Sequence, residues 1–313
     1  MNKVKIIEKY IETDKLDDDV TIVSLSDLHL WLKDNRMIGV NNVEEIIKVL
    51  STINYDYMLI PGDLINDCSD LFDKKFKNEF LQIMRMLTNN HLTFYSLGNH
   101  DIMTMGENSW EASSEILLKN TLEFGGLDNM IYLDRLNGFS LNNSNLVSKG
   151  FPTCNINVIG AHMPFSFYDK QEKESDEKFL EHWKKFGYAN PCNSREFNIL
   201  LLHSLRNFIN ISKEKGKILL LGLDMAVGGH YHNGTIPNYL SSIIPGNFGL
   251  LNPQMQILQK YERGCINIGN VPCFINGYTN FRVENELANK VFGGPQLLLI
   301  HLVPKKNKIK KRI

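Results

Sequence analysis

The sequence predicts an α/β fold in which β-strands and α-helices alternate along the chain and pack in layers. Short apolar runs rich in β-branched residues recur, and each ends in a polar cluster, as buried strands do. Between those runs lie segments in which apolar residues return every three or four positions, as they do in amphipathic helices. Alternation of the two patterns is typical of a layered α/β protein.

Seven apolar runs are predicted strands, and in chain order they cover residues 21–25, 57–60, 93–97, 157–159, 198–202, 218–223 and 296–302. The two clearest helical patterns cover residues 43–52 and 76–89. Glycine, proline and asparagine are scattered among apolar residues from Gly228 to Gly294, which predicts loops and short strands in that part of the chain.

Two stretches are interpreted as insertions, and the chain ends in a basic tail. Residues 105–124 are predicted to be helical, whereas residues 165–197 are charged and aromatic with turn residues near their end. Insertions of this kind commonly lie over an active site or on the surface. The tail, 305–313, carries six cations among its first eight residues and is interpreted first as a solvated end.

The length, charge balance and cysteine content of the chain indicate the class of protein to which it belongs. With 313 residues, 43% of them hydrophobic, the chain can bury one large core, and we expect a single domain over residues 1–313. The 34 basic and 35 acidic side chains nearly cancel, so the whole protein has no field that attracts nucleic acid or a membrane. Five cysteines without a CxxC pair, no signal-peptide pattern and no long apolar run favour a cytoplasmic protein with reduced thiols.

Five polar clusters carry the candidate chemistry, and four of them directly follow a predicted strand. In chain order they are Ser26-Asp27-Leu28-His29, Pro61-Gly62-Asp63-Leu64, Gly98-Asn99-His100-Asp101, His203, and Gly229-His230-Tyr231-His232. Loops that follow strands project side chains from the carboxyl edge of a sheet. The clusters offer oxygen and imidazole ligands without a cysteine, which favours Mn, Fe, Co or Zn over a thiolate structural site.

The order of these clusters resembles the signature of the calcineurin-like metallophosphoesterase superfamily. That signature reads DxH, GD, GNH followed by an acid, a lone histidine and then GHxH, and every part is present between Asp27 and His232. The resemblance implies a four-layer αββα sandwich of two mixed β-sheets flanked by helices. From Gly264 onward the chain resembles the bacterial phosphohydrolase branch of the superfamily, which contains membrane-associated enzymes.

The resemblance also implies a site for two divalent metal ions, Mn, Fe, Co or Zn. Its ligands would be Asp27, His29, Asp63, Asn99, His203, His230 and His232. Asp63 would bridge the two ions. Asp27, His29 and His232 would complete the first site, and the other three ligands the second. His100 matches the histidine that donates a proton to the leaving oxygen.

The chemistry explains why such a set is needed. A phosphate ester is an anion that repels hydroxide and leaves behind a poor alkoxide, and two cations roughly 4 Å apart offset both problems. The resemblance therefore implies hydrolysis of a phosphodiester or phosphoanhydride by a metal-bridging hydroxide, because the family links the GNH histidine to diesterase activity. A phosphomonoesterase and a metal-dependent nuclease are the alternatives, and a non-catalytic scaffold is disfavoured because the ligands are all present.

One position departs from the family pattern. Many relatives carry an aspartate three positions after the bridging one, where it orients the catalytic histidine, and this chain has Asn66 there. Asp67 and Asp101 are candidates for the same task. His162, which follows a predicted strand, is a further candidate for substrate contact.

The expected partner is a phosphate-ester substrate, either a small molecule or a lipid-linked one. The apolar stretch 236–251 is interpreted as core, with a pocket for a lipid or nucleoside tail as the alternative. Nucleic acid is a weaker alternative, because no basic stripe occurs outside the tail. The tail leaves open a peripheral contact with anionic lipid, so the expected location is cytoplasmic with peripheral membrane contact as the alternative.

Overall fold

Two six-stranded mixed β-sheets pack face to face, and helices cover their outer faces, which confirms the predicted four-layer sandwich. The computed structural model describes residues 3–102, 111–133, 137–161, 163–164, 168, 176–185, 191–252, 255–280 and 291–305.

The strands of the described residues are β1 Lys5–Thr13, β2 Val20–Ser24, β3 Trp31–Lys33, β4 Arg36–Ile38, β5 Tyr57–Pro61, β6 Leu92–Ser96, β7 Met130–Tyr132, β8 Asn137–Ser140, β9 Ile156–Ala161, β10 Phe197–Leu202, β11 Met225–Gly228, β12 Gly264–Ile268, β13 Val271–Ile275 and β14 Gln296–Pro304. The α-helices are α1 Val40–Leu50, α2 Lys74–Thr88, α3 Glu111–Phe124, α4 Ser144–Ser148, α5 Asp176–Lys185 and α6 Arg206–Glu214. Short 3₁₀ helices cover Cys68–Phe72, His232–Thr235 and Asn238–Leu240.

Parallel strands form the centre of each sheet. The first sheet has the order β1-β14-β2-β5-β6-β7, and the second has the order β12-β13-β11-β10-β9-β8. The neighbours β2, β5 and β6 run parallel, as do β9, β10, β11 and β13. The carboxyl ends of the parallel strands within each sheet therefore lie at one edge of that sheet.

Successive side chains of the central strands pack alternately into two hydrophobic cores, one on each face of the sheet. On β10, Ile199 and Leu201 face the first sheet, whereas Leu200 and Leu202 pack under α5 and α6. Because successive side chains of a strand point to opposite faces, this continuous apolar run is what a strand buried on both faces requires. Each fully buried Leu or Ile contributes roughly 1.5–3 kcal/mol of burial free energy.

Helix α2 shows how local sequence sets a boundary. The side chain of Asp73 accepts a hydrogen bond of 2.8 Å from the amide of Phe76 and so caps the first turn. The helix ends at Asn89, which has a left-handed backbone with φ of 43°. Between these ends, Phe76 and Phe80 are buried completely against the first sheet.

Most predicted elements are confirmed, and one strand is wrong. Residues 218–223 form turns, and the strand of this region is β11, which begins two residues later. Gly222 has φ of +83°, a left-handed conformation that ends an extended run. Leu220 and Leu223 are buried under α6 from the loop, so their apolar character reflects burial and not strand structure.

The two predicted insertions each contain a helix. The described part of residues 105–124 is α3, as predicted, and the described part of residues 165–197 includes α5. The remainder of both stretches, together with His162 and residues 306–313, lies outside the described residues. Among the helices that the structure describes, none is both long and apolar enough to cross a membrane.

Candidate metal centre

All five polar clusters follow strands. They include the GHxH cluster, which follows β11 and not the strand predicted at residues 218–223. Asp27, Asp63 and Asn99 come just after β2, β5 and β6 of the first sheet. His203 directly follows β10, and the GHxH cluster directly follows β11 of the second sheet. The carboxyl edges of the two sheets thus bring the clusters together, as the motif order implied.

The first ligand group joins the two ends of the motif series. Suitable atoms of Asp27, His29 and His232 lie within 4.8 Å of one another. Oδ1 of Asp27 is 3.9 Å from Nε2 of His29 and 3.7 Å from Nε2 of His232. Asp27 and His29 are almost fully buried, whereas 14% of the His232 side chain remains exposed.

The second ligand group comes from the middle clusters. Asp63, His203 and His230 also offer atoms within 4.8 Å of one another. Oδ2 of Asp63 is 3.2 Å from Nε2 of His203. Oδ1 of Asn99 is 3.2 Å from the same nitrogen, so the amide predicted as a ligand reaches this group as well.

Asp63 lies between the two groups. Its Oδ2 atom is 3.2 Å from Nε2 of His203 in the second group and 3.6 Å from Nε2 of His29 in the first. A third set of atoms, from His29, Asp63 and His100, also lies within 4.8 Å. Geometry alone therefore places His100 beside the centre. Only the resemblance to the family motif indicates that His100 is not itself a metal ligand.

Ring nitrogens of the candidate histidine ligands lie close to one another. These short distances indicate whether the residues could hold metal ions. Nε2 of His29 is 3.1 Å from Nε2 of His232, and Nδ1 of His230 is 3.2 Å from Nε2 of His203. Two unprotonated ring nitrogens repel each other at such distances unless a proton or a cation lies between them. Buried imidazole and carboxylate ligands around shared points suit Mn, Fe, Co or Zn, so the residues fit the implied ions.

The backbone is left-handed at five of the seven predicted ligands. The φ angles are 57° at Asp27, 43° at His29, 57° at Asp63, 75° at His230 and 46° at His232. Positive φ is uncommon for residues other than glycine and concentrates at functional sites, where the surrounding structure enforces it. The main chain therefore turns sharply at these ligands, in the loops that follow the strands.

Two glycines let the loops of Asp63 and Asn99 approach each other. A Cβ atom on Gly62, where φ is +91°, would lie 2.5 Å from the amide nitrogen of Gly98. A Cβ atom on Gly98 would lie 2.1 Å from Oδ1 of Asp63. The G in the GD and GNH motifs is therefore required by contact between the two loops and not only by turn geometry.

The carboxylate of Asp101 ties the same two loops together. Its Oδ2 atom accepts hydrogen bonds from the amides of Gly98 and Asp63, at 2.9 and 2.8 Å. Its Oδ1 atom accepts from Leu64 and Ile65, at 2.8 and 3.2 Å. Asp101 is fully buried, and it fixes the main chain on which the candidate bridging residue stands.

His100 is oriented by the main chain. Its Nδ1 atom lies 3.0 Å from the carbonyl oxygen of Asn66, and its amide donates to Oδ1 of Asp63 at 2.9 Å. Asp67, the other candidate for this task, accepts from the amide and hydroxyl of Ser69 at 2.8 and 2.6 Å and so caps the following 3₁₀ helix. This chain has Asn66 where the family pattern has an aspartate, and the contact that orients His100 is made by the main-chain carbonyl of Asn66.

Burial and mutual contact shift the pKa values of the buried groups in opposite directions. Burial raises the pKa of Asp27 to about 7, with Asp63 adding to the effect. Burial acts to raise the pKa of Asp63 too, but the neighbouring His203 and His100 bring it well below its usual range. Burial lowers the pKa of His230 well below 6.5 and that of His232 to about 4, so both are neutral and able to bind a cation near pH 7.

Several supporting residues were not predicted from the sequence. The Ser26 hydroxyl donates to Oδ2 of Asp27 at 2.5 Å, and the carbonyl of Pro61 lies 2.6 Å from Nδ1 of His203. Beyond β13, the amides of Thr279 and Asn280 donate to the carbonyls of Ser26 and Asp27 at 3.1 and 3.0 Å. Ser26 stands inside the first motif, whereas a main-chain carbonyl or a residue 253 positions away gives no signal in a single sequence.

Comparison with known proteins finds a curated relative of the chain. An uncharacterized metallophosphoesterase of Helicobacter pylori is 23% identical over 233 residues, which are 74% of this chain and 50% of that protein. The chain thus spans about half the length of the curated relative it matches.

Two solved structures are similar at low TM-scores. Phosphopantetheinyl hydrolase from Mycobacterium tuberculosis has a TM-score of 0.40 and 11% identity over 83% of this chain and 90% of that one. A dimetal phosphatase from Danio rerio has a TM-score of 0.40 and 10% identity over 83% of this chain and 88% of that one.

The family model described as calcineurin-like phosphoesterase matches residues 20–234, which include all seven predicted metal ligands. Its span runs from the start of β2 to the 3₁₀ helix that begins at His232. The chain belongs to the calcineurin-like phosphoesterase family, a family of phosphoric ester hydrolases.

Proposed function

We propose that the chain hydrolyses a phosphodiester or a phosphoanhydride with two divalent metal ions. The observation that carries the proposal is the position of Asp63, whose Oδ2 atom lies within 3.6 Å of a histidine nitrogen from each ligand group. A carboxylate between two groups of imidazoles is the arrangement that a dinuclear centre needs.

Seven side chains would hold the two ions. Asp27, His29 and His232 would bind the first, Asn99, His203 and His230 the second, and Asp63 both. When bound, such ions supply Lewis-acid polarisation of the phosphoryl oxygens and a hydroxide nucleophile near neutral pH. The two carboxylates only partly offset the charge of two divalent ions, so the centre keeps a net positive charge that attracts an anionic phosphate.

His100 would protonate the leaving oxygen. The Asn66 carbonyl can only accept a hydrogen bond, so Nδ1 of His100 carries a hydrogen and Nε2 is the nitrogen that exchanges a proton. A positioned general acid contributes about 10²–10⁴-fold to the rate, and the contribution is largest for esters with poor leaving groups. This role favours diesters with alkoxide leaving groups as substrates.

The test is hydrolysis of bis-p-nitrophenyl phosphate beside p-nitrophenyl phosphate by metal-stripped protein resupplied with Mn, Fe, Co, Zn or Mg. Metal-restored turnover with preference for the diester supports the proposal. Preference for the monoester would replace it with a phosphomonoesterase. Turnover that survives stripping, or that persists in a His203→Ala variant, would reject the metal centre.

A further inference from the structure

Exposed apolar side chains are concentrated on the segment that follows the last ligand cluster. They belong to Tyr239, Ile243, Met255, Ile257 and Leu258, each of which is 52–73% exposed as a whole residue. Thirteen large apolar residues are exposed among those that the structure describes, and these five fall within one stretch of 20. Single exposed apolar residues are ordinary, but a concentration of them marks a binding surface. We name these five residues the apolar rim.

The apolar rim belongs to one folded unit. Bridges between Phe248 and Lys260, and between Leu251 and Ile257, make an irregular hairpin that presents Ile257 and Leu258. The turn that carries Ile243 is fixed to the base of this hairpin by Arg263, whose guanidinium donates to the carbonyls of Ile244 and Pro245 at 2.7 and 3.1 Å. The rim side chains are therefore exposed from an ordered support.

The hairpin stands on the loops of the metal centre. The amide of Leu250 donates to the carbonyl of Gly234 at 2.8 Å, only two residues after His232. On the other side, the Arg206 guanidinium donates to the side chains of Gln256 and Gln259 at 3.1 and 2.9 Å, and Arg206 lies three residues after His203. The hairpin of the apolar rim is thus hydrogen-bonded to the chain segments that follow two of the candidate metal ligands, His203 and His232.

The apolar rim exposes no carboxylate of its own stretch, and the next carboxylate in the chain, that of Glu262, is fully buried against Gly249. Residues 225–261 contain no aspartate or glutamate, a run of 37 residues in a chain with 35 acidic side chains. Lys260 lies over the ring of Phe248 at 5.8 Å, and Lys213 lies over the ring of Tyr261 at 5.1 Å. Exposed aliphatic side chains that are flanked by lysines and have no exposed carboxylate between residues 225 and 261 are complementary to a surface that is apolar inside and anionic outside.

The topology separates this surface from the basic tail. Strand β14 runs antiparallel to β2, so Leu302 pairs with Val20 while Leu298 pairs with Ser24. Asp27 follows the end of β2, and therefore the chain leaves β14 at the edge of the sheet opposite the metal centre. The described chain thus ends at the edge of the sheet opposite the metal centre, whereas the hairpin of the apolar rim is bonded to the loop that follows His232.

We propose that the apolar rim binds the interfacial region of an anionic lipid bilayer and holds the metal centre beside it. The aliphatic side chains enter the boundary between headgroups and acyl chains, and Lys213 and Lys260 meet the lipid phosphates. This contact does not require hydrolysis. Its consequence, that the substrate is an amphiphilic phosphate ester reached from the bilayer, rests on the proposed function.

The experiment is co-sedimentation of the full chain with vesicles of phosphatidylcholine alone and of phosphatidylcholine mixed with phosphatidylglycerol. The test variant is Ile243→Asn/Ile257→Asn/Leu258→Asn. The matched control, Phe72→Asn/Phe124→Asn/Val147→Asn, removes three apolar side chains elsewhere that belong to residues that are on average even more exposed. A third protein is shortened to end at Lys305 and so lacks the remainder of the basic tail. We expect the test variant to lose at least about tenfold in partitioning to anionic vesicles, and the control and the shortened chain to retain it.

Four results would overturn the inference. They are no pelleting of the wild type, equal pelleting of the test variant, loss of pelleting only when the tail is removed, and a wild-type dimer in light scattering that the test variant disperses. The last would mean that a second copy covers the apolar rim. Hydrolysis of bis-p-nitrophenyl phosphate without vesicles is measured in parallel, so a failure of membrane binding and a failure of the proposed function are distinguished.

Discussion

The Nδ1 atom of His100 lies 3.0 Å from the carbonyl oxygen of Asn66, so a main-chain group orients this imidazole. The family pattern places an aspartate side chain at position 66, and here the asparagine side chain is buried, with no hydrogen-bond partner for its Oδ1 atom among the described residues. A backbone carbonyl survives any substitution that keeps the loop in place. The geometry of His100 is therefore tolerant of the residue type at position 66.

Asn66→Ala is expected to keep the kcat/KM for a diester within about threefold of the wild type, because the contacting carbonyl remains. His100→Ala is expected to retain metal and lose about 10²–10⁴-fold on a diester with an alkoxide leaving group, since it removes the general acid. Steady-state kinetics on a p-nitrophenyl and an alkyl diester separate the two. An Asn66→Ala defect as large as that of His100→Ala would show that the side chain does the orienting.

Asp101→Asn is expected to destabilise the metal-free fold by roughly 2–5 kcal/mol, because an amide group cannot accept from all four main-chain amides that the carboxylate serves. Asp67→Asn is the control, since its Oδ1 position can still accept from Ser69. Urea denaturation of both variants gives the difference. Equal stabilities would mean that the Asp101 carboxylate does not hold the two loops together.

Gly98→Ala is expected to displace Asp63, because the added Cβ would lie 2.1 Å from Oδ1 and 2.6 Å from the amide nitrogen of that residue. A shift of about 1 Å in such a centre costs about 10²-fold in activity. Gly246→Ala is matched, since neither glycine has a positive φ and no described atom lies within 4 Å of the Cβ added at Gly246. Metal content and diester turnover measured for both should show the loss in Gly98→Ala alone, and an active, metal-loaded Gly98→Ala protein would contradict the packing argument.

Metal-free protein is expected to lose stability as the pH rises from about 6.5 to about 9. Burial raises the pKa values of Asp27 and Asp101 to about 7, and Asp63 outweighs burial to raise the pKa of His203 to about 9. All three exceed their unfolded values, so the folded state binds more protons across this range and stability falls as protons are removed. Urea denaturation after chelation measures the slope, and a rise in stability with pH would contradict these shifts.

The layered fold was predictable because the central strands are buried on both faces. Runs such as Asn198 to Leu202 are apolar at every position that meets a core, and the polar ligand clusters mark where the strands end. The edge strand β1 gave no such signal. Its sequence, KIIEKYIET, alternates charged and apolar residues over a half-exposed surface, and its pairing with β14 joins opposite ends of the chain.

Residues 218–223 show the limit of apolar patterning. The run has the length and composition of a strand, yet a left-handed glycine turns it and Leu220 packs under a helix. The true strand, β11, is the short segment MAVG. Only its pairing with β10 and β13 distinguishes it, and pairing over such distances along the chain is invisible to local sequence.

The candidate ligands were predictable as a set because their order is distinctive, whereas their support was not. Left-handed backbone at Asp27 or His230 and the carbonyl of Asn66 depend on loops that meet only in the folded chain. The sequence offers Asp101 as a candidate to orient His100, and in the structure the Asp101 carboxylate accepts hydrogen bonds from four main-chain amides.

The most direct test is turnover of bis-p-nitrophenyl phosphate during titration of metal-stripped protein with Mn, with metal content measured at each step. We expect turnover to rise until two ions are bound per chain. Asp63→Asn should bind fewer than two ions and remain inactive, because it weakens both sites at once. Full activity at one ion per chain, or a fully active Asp63→Asn protein, would contradict the dinuclear centre.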